Sequence, residues 1–192
     1  WQQLLILHEY IHLVHLAQPT RSDFRQAIKN SWDLYDLAEK DMPCWAAEGY
    51  ATLLESKMTG RGRVFDNLSE AILIEFAQQG ALPGYKQLSN TKGGFLAGSM
   101  AYLVGSRFLA WLEENYSEQT LDAVWTRMQA VKDRDFDEAF TGVFADSPAK
   151  LYRRFVAEYT YKAMAKEVSE QPLTSKLWLE LDLYASNPAL SP

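Results

Sequence analysis

Several things are scarce in this chain. Among 192 residues there is one cysteine, Cys44, so no disulfide can form within the chain, and its place beside Trp45 reads as that of a small core residue. No run of eighteen apolar residues occurs, which excludes a membrane-spanning helix. Basic residues are scattered and outnumbered, 19 against 25 acidic, and the net charge of −6 argues against a nucleic-acid surface. There is no internal repeat and no low-complexity segment. No signal peptide is visible, but the chain opens close to its first histidine and reads as a truncated start, so that absence says little. Histidine is rare too: the only three are His8, His12 and His15.

What is present is a core. The apolar fraction is 47% and the aromatic fraction 13%. A single domain of this length buries roughly 70% of its unfolded surface. Apolar spacing predicts helices over residues 1–17, 22–40, 44–58, 66–79, 95–116, 118–129, 135–144 and 147 to about 169. Pro43 is expected in the first turn of the third of these, and Ser147 with Pro148 as N-cap and first residue of the last. Residues 95–116 are hydrophobic almost all round, which marks a central helix. Ala81 to Gly94, rich in glycine and turn residues, reads as the longest irregular stretch, with a short helical turn at Tyr85 to Leu88. It is equally a binding edge or a simple connector. Residues 176–184 alternate weakly and are the one expected strand.

All three histidines lie in the first helix, two of them in the sequence His8-Glu9-Tyr10-Ile11-His12. Residues four apart on a helix stand on one face, with Cβ atoms roughly 5–6 Å apart, so His8 and His12 can reach one ion. Glu9, one residue further round, then stands beside the metal, where a general base takes a proton from a water on it. Two histidines leave a catalytic zinc short of a third protein ligand. An H-E-x-x-H-x-x-G-x-x-H site is excluded, because Gln18 stands at its third histidine and His15 at its glycine. A glutamate from a following helix is the alternative, and Trp45-Ala46-Ala47-Glu48-Gly49-Tyr50-Ala51 offers Glu48.

With that stretch the chain resembles the gluzincin metallopeptidases, whose pattern is a histidine pair on one helix and W-x-x-E-G-x-A on another. The resemblance implies a mainly α, zincin-like catalytic domain over residues 1–172. It also implies a Zn2+ ion held by His8, His12 and Glu48, with Glu9 as the base in hydrolysis of a peptide or protein substrate. Glu55, seven residues after Glu48, matches a glutamate common after that motif, with no role assigned. The stretch Ala101 to Leu112 resembles the helix of peptidase MA-like domains that carries an oxyanion-stabilising tyrosine, which makes Tyr102 the candidate; tyrosine in an apolar helix is as often plain core. The tail Ser186 to Pro192 resembles the opening of a TolB-like β-propeller blade. Residues 173–192 are therefore expected to be a linker and the start of a propeller in a longer bacterial protein, periplasmic or extracellular.

Two departures from the family pattern are visible. Thr52 stands where some gluzincins carry an aspartate that orients a ligand histidine, which leaves the outer shell open. The β-rich portion that normally precedes the zinc helix and supplies the substrate-binding edge is missing, so the domain is expected to bind metal and to be poorly active alone. Two rival readings remain. One is a peptidase-like zinc-binding module that mediates protein interaction next to a propeller. The other is a di-iron bundle built on Glu9-x-x-His12, which usually needs that motif twice, and no histidine follows His15.

Overall fold

Helical spacing of the apolar residues becomes helix in all but one of the expected segments of the computed structural model, which describes residues 2–28, 30, 33, 41–89 and 95–167. In chain order the helices are α1 (Gln2–Leu16), α2 (Asp23–Gln26), α3 (Cys44–Thr59), α4 (Asn67–Gln78), α5 (Tyr85–Leu88), α6 (Phe95–Asn115), α7 (Glu118–Met128), α8 (Phe136–Phe144) and α9 (Pro148–Glu167). No strand occurs among the described residues, and the protein is mainly α. The expected strand at 176–184, the propeller-like tail, most of residues 29–40 and the loop segment 90–94 lie outside the described residues.

Helix ends follow side-chain chemistry. Asp66 and Asp135 cap α4 and α8 by accepting from the amides of Ser69 and Glu138. Gly60 closes α3 at φ 66°, a left-handed conformation without steric cost for glycine. Pro43 is the N-cap of α3 rather than its first residue. It has no amide hydrogen to lose there, and its carbonyl accepts from Ala46 and Ala47 at 2.8 and 3.2 Å.

The expected helix from Ser22 onward is a different matter. Its described part is one turn, Asp23–Gln26, and Ala27 and Ile28 already lie beyond it. An ion pair rather than an apolar stripe seats this turn: Arg25 is 2% exposed and its guanidinium donates to Asp41 at 2.7 Å and Asp133 at 3.3 Å. A buried guanidinium needs such partners.

The α3 and α6 helices form the centre. They approach closely because two glycines meet: a Cβ on Gly49 would stand 2.6 Å from the Gly105 carbonyl carbon, and one on Gly105 would stand 2.5 Å from the Trp45 carbonyl oxygen. Around that contact Trp45, fully buried, packs against Phe108 and Phe136 at 5.3 and 5.5 Å between ring centroids, with Tyr85 at 6.0 Å. Full burial of side chains of this size contributes roughly 1.5–3 kcal/mol each.

α1 lies against α3 and buries one face only: His8, Ile11, His12, His15 and Leu16. The opposite face presents Ile6, Tyr10, Leu13 and Val14 to solvent, each more than half exposed. The 3.6-residue period puts the histidines on the packed side, turned toward α3.

Candidate metal centre

His8 and His12 stand one turn apart on the buried face of α1, and Glu48 faces them from the second turn of α3. The Gly49–Gly105 contact sets the depth of α3, and Trp45, one turn before Gly49 in the same helix, is locked in the core. The motif Trp45-x-x-Glu48-Gly49 thus has a mechanical meaning: its tryptophan and glycine anchor the helix that presents its glutamate.

Three atoms converge there. His8 Nε2 and His12 Nε2 lie 3.1 Å apart, and each lies 3.1 Å from Glu48 Oε2. A tetrahedral ion with bonds of about 2.0–2.1 Å spaces its donors about 3.3 Å apart, so this triangle is already close to the face of such a coordination shell. Among the described residues these three form the group able to hold a metal ion.

The electrostatics point the same way. Lone pairs of two imidazoles and a carboxylate, set this close, repel unless positive charge stands among them. Burial opposes a charge on His8, but its hydrogen bonds with Glu48 and Glu55 outweigh that and hold its pKa up at about 9. Burial likewise pushes Glu48 up, yet hydrogen bonds from His12 and His8 take it down to about 2. Both shifts favour positive charge on the imidazole beside the carboxylate, the place where a divalent ion would compete with a proton.

Behind His8 stands Glu55, whose role the sequence left open. Its Oε2 accepts from His8 Nδ1 at 3.0 Å, and both side chains are under 5% exposed. With Nδ1 carrying the hydrogen, Nε2 is left as the ligand atom, which is what a carboxylate behind a metal-binding histidine achieves. Thr52 does not serve in that capacity: it is fully buried, and its hydroxyl has no hydrogen-bond partner among the described residues. The spacing of Glu55, two helical turns after Glu48, was the signal that could have revealed it.

A cavity of about 200 Å3 opens at two of the three donors, His12 and Glu48, and is lined as well by Glu9, Leu16, Met42, Cys44, Ala47 and Tyr102. Comparisons of the chain with protein families, curated proteins and solved structures each return no match. The chemistry of the site therefore rests on its own geometry.

Glu9, exposed on α1, lines this cavity without belonging to the donor triangle. Tyr102 comes from α6: its ring lies over His8, 5.7 Å between centroids at 25°, and its hydroxyl donates to Glu48. Burial, then the neighbouring Glu48 charge, push the phenol above its ordinary pKa, so it remains a donor. Cys44, expected in the core, is half-buried on the cavity wall one turn before Glu48. His15 takes no part. It is wedged between Tyr50 and Trp125 at 4.5 and 4.4 Å, with both ring nitrogens unpartnered among the described residues. Burial, with His12 nearby, depresses its pKa to about 3.

Proposed function

We propose that this chain is a zinc-dependent peptidase domain of the gluzincin type, zincin-like in fold and similar to peptidase MA-like domains. The observation that carries this is the meeting of His8 Nε2, His12 Nε2 and Glu48 Oε2 within 3.1 Å of one another, beside a cavity that His12 and Glu48 line together with Glu9 and Tyr102. The donor set, two imidazoles and one carboxylate with room in front, suits a catalytic rather than a closed structural zinc.

A bound zinc would supply Lewis acidity and an acidified water at this place. The residues of the chain do the rest. Glu55 accepts from His8 Nδ1 and so keeps the ring turned with Nε2 into the site. Glu9, free of the donor set, takes the proton of the attacking water as its oxygen adds to the scissile carbonyl. The same carboxyl returns that proton to the amine as the C–N bond breaks. Tyr102 offers its hydroxyl to the developing oxyanion, a donor of the kind worth about 2.7–4 kcal/mol in an oxyanion hole.

The wider reading belongs to the same proposal. The exposed apolar face of α1 supports a further layer lying against it, the place of the β portion in a zincin-like domain. A following β-propeller and an envelope or extracellular location rest on the tail's resemblance alone.

The first test is elemental analysis of chelator-free protein beside His8→Ala and Glu48→Ala. One zinc per chain, lost in both variants, and hydrolysis of a peptide panel that Glu9→Gln abolishes without loss of zinc, is the expected result. Zinc retained but no peptide cleaved would favour the binding module. No zinc taken up at all would end the metal reading.

A further inference from the structure

Beside the metal centre lies a second, larger pocket, about 1010 Å3, between the N-terminal turns of α1 and residues 60–68 that follow α3. Its walls include Leu4, Leu5, Phe65 and Leu68, and its charged groups include Arg61 and Arg63. Two guanidiniums in one short loop stand out in a chain of net charge −6.

The loop is built rather than slack. Gly60 and Gly62 take φ of 66° and 126°, and a Cβ on Gly62 would strike Ser56 Oγ at 2.7 Å. The Ser56 hydroxyl accepts from the Val64 amide at 3.3 Å, Thr59 donates to the Arg61 carbonyl at 2.6 Å, and Val64 is buried.

The two acids at this pocket have their closest partners outside it. Asp66 accepts from the amide and hydroxyl of Ser69, both at 3.0 Å, and Glu55 accepts from His8. Arg63 forms a long ion pair through Nε with Glu55 Oε1, 3.7 Å, and its side chain is 41% exposed. Its guanidinium lies 4.7 Å from the ring of Tyr102, the ring that covers His8. Among the described residues it makes no hydrogen bond. A guanidinium held by a ring on one side and by a long Nε ion pair to Glu55 keeps its two terminal nitrogens for a second carboxylate.

We propose that this pocket is a substrate subsite for a carboxylate-bearing peptide residue, with Arg63 gripping the carboxylate and Leu5 and Phe65 covering its aliphatic part. This deepens the peptidase reading and rests on it. Leu5 precedes Glu9 by one turn of α1, about 6 Å along the axis. An extended peptide advances about 3.3 Å per residue, so the pocket is reached within about two residues of the cleaved bond. A peptide can supply the carboxylate from an acidic side chain or from its own C-terminus.

The experiment takes the whole zinc-loaded chain and two peptide sets. One places Glu or its isostere Gln at each position around a cleaved bond in C-terminally amidated peptides. The other compares free with amidated C-termini. Preference in the first set identifies a side-chain carboxylate, preference in the second a terminal one. Either is expected as at least a tenfold higher kcat/KM, carried by KM, with the acid-to-amide ratio collapsing toward one in Arg63→Ala and only partly restored in Arg63→Lys. Cleavage with no preference in either set, or with a preference that Arg63→Ala leaves intact, overturns the subsite while the peptidase reading stands.

Binding of the same fluorescently labelled peptides to zinc-loaded Glu9→Gln separates the two ideas further. Arg63-dependent retention of acidic peptides without any wild-type hydrolysis would keep the subsite and remove the enzyme. No discrimination in binding would remove the subsite.

Discussion

Replacing Glu55 tests the site at a residue that touches no metal. Its carboxylate and the His8 Nδ1–H face each other at 3.0 Å in a part of the protein where both are under 5% exposed. A charge-assisted bond of this kind contributes about 1.5–3 kcal/mol. Loss of an orienting partner behind a metal ligand lowers metal affinity about 10–100-fold, or about 1.4–2.7 kcal/mol, so two independent routes give the same size. Glu55→Gln keeps an oxygen able to accept but loses the charge, and falls at the weak end, near tenfold. Glu55→Ala leaves Nδ1–H unpaired in the interior and falls near 100-fold. Zinc affinity, measured by competition with a chromophoric chelator at neutral pH, reads both. Denaturant unfolding of the metal-free variants separates orientation from loss of fold. If both variants hold zinc within about twofold of wild type while His8→Ala loses it, Glu55 does not orient His8 and the account of the outer shell is wrong.

Two further outcomes follow from the packing. Gly49→Ala drives a methyl to 2.6 Å from the Gly105 backbone and must separate α3 from α6; unfolding in urea is expected to show a loss of about 1–3 kcal/mol or more, and an unchanged midpoint would refute the close-contact reading. His15→Phe keeps the wedge between Tyr50 and Trp125 and removes two unpartnered nitrogens, so zinc stoichiometry stays the same and stability at neutral pH changes by less than about 1.5 kcal/mol.

The acid limb of the same variant should differ. His15 is depressed from 6.5 to about 3 in the folded protein, so the unfolded chain binds the extra proton and wild-type stability falls as pH drops from about 6.5 toward 3. In His15→Phe that part of the acid loss disappears, and a parallel acid limb in both proteins would show that His15 is not the buried neutral group described.

Much of this was legible in order along the chain. The spacing of His8 and His12 puts both on one helical face because four residues nearly complete a turn, and no tertiary information is needed for that. The expected starts at Asp66 and Asp135 fall within one residue of the observed ones, where both side chains serve as N-caps, because the chemistry of a cap is local. The one-turn α2 was not legible, since what seats it is Arg25 reaching Asp41 and Asp133, partners far off in sequence.

The sequence by itself determined a helical chain carrying two imidazoles on one face, a carboxylate beside them and a second glutamate motif on a later helix. Only the tertiary structure decided which groups share a site. It brought Glu48 to both histidines, set Glu55 behind one of them, turned Cys44 and Tyr102 to the cavity, and sent His15 into the aromatic core. The reason is the contact between Gly49 and Gly105: two helices without side chains at that point close until their backbones touch, and that distance fixes where every other residue on α3 can reach.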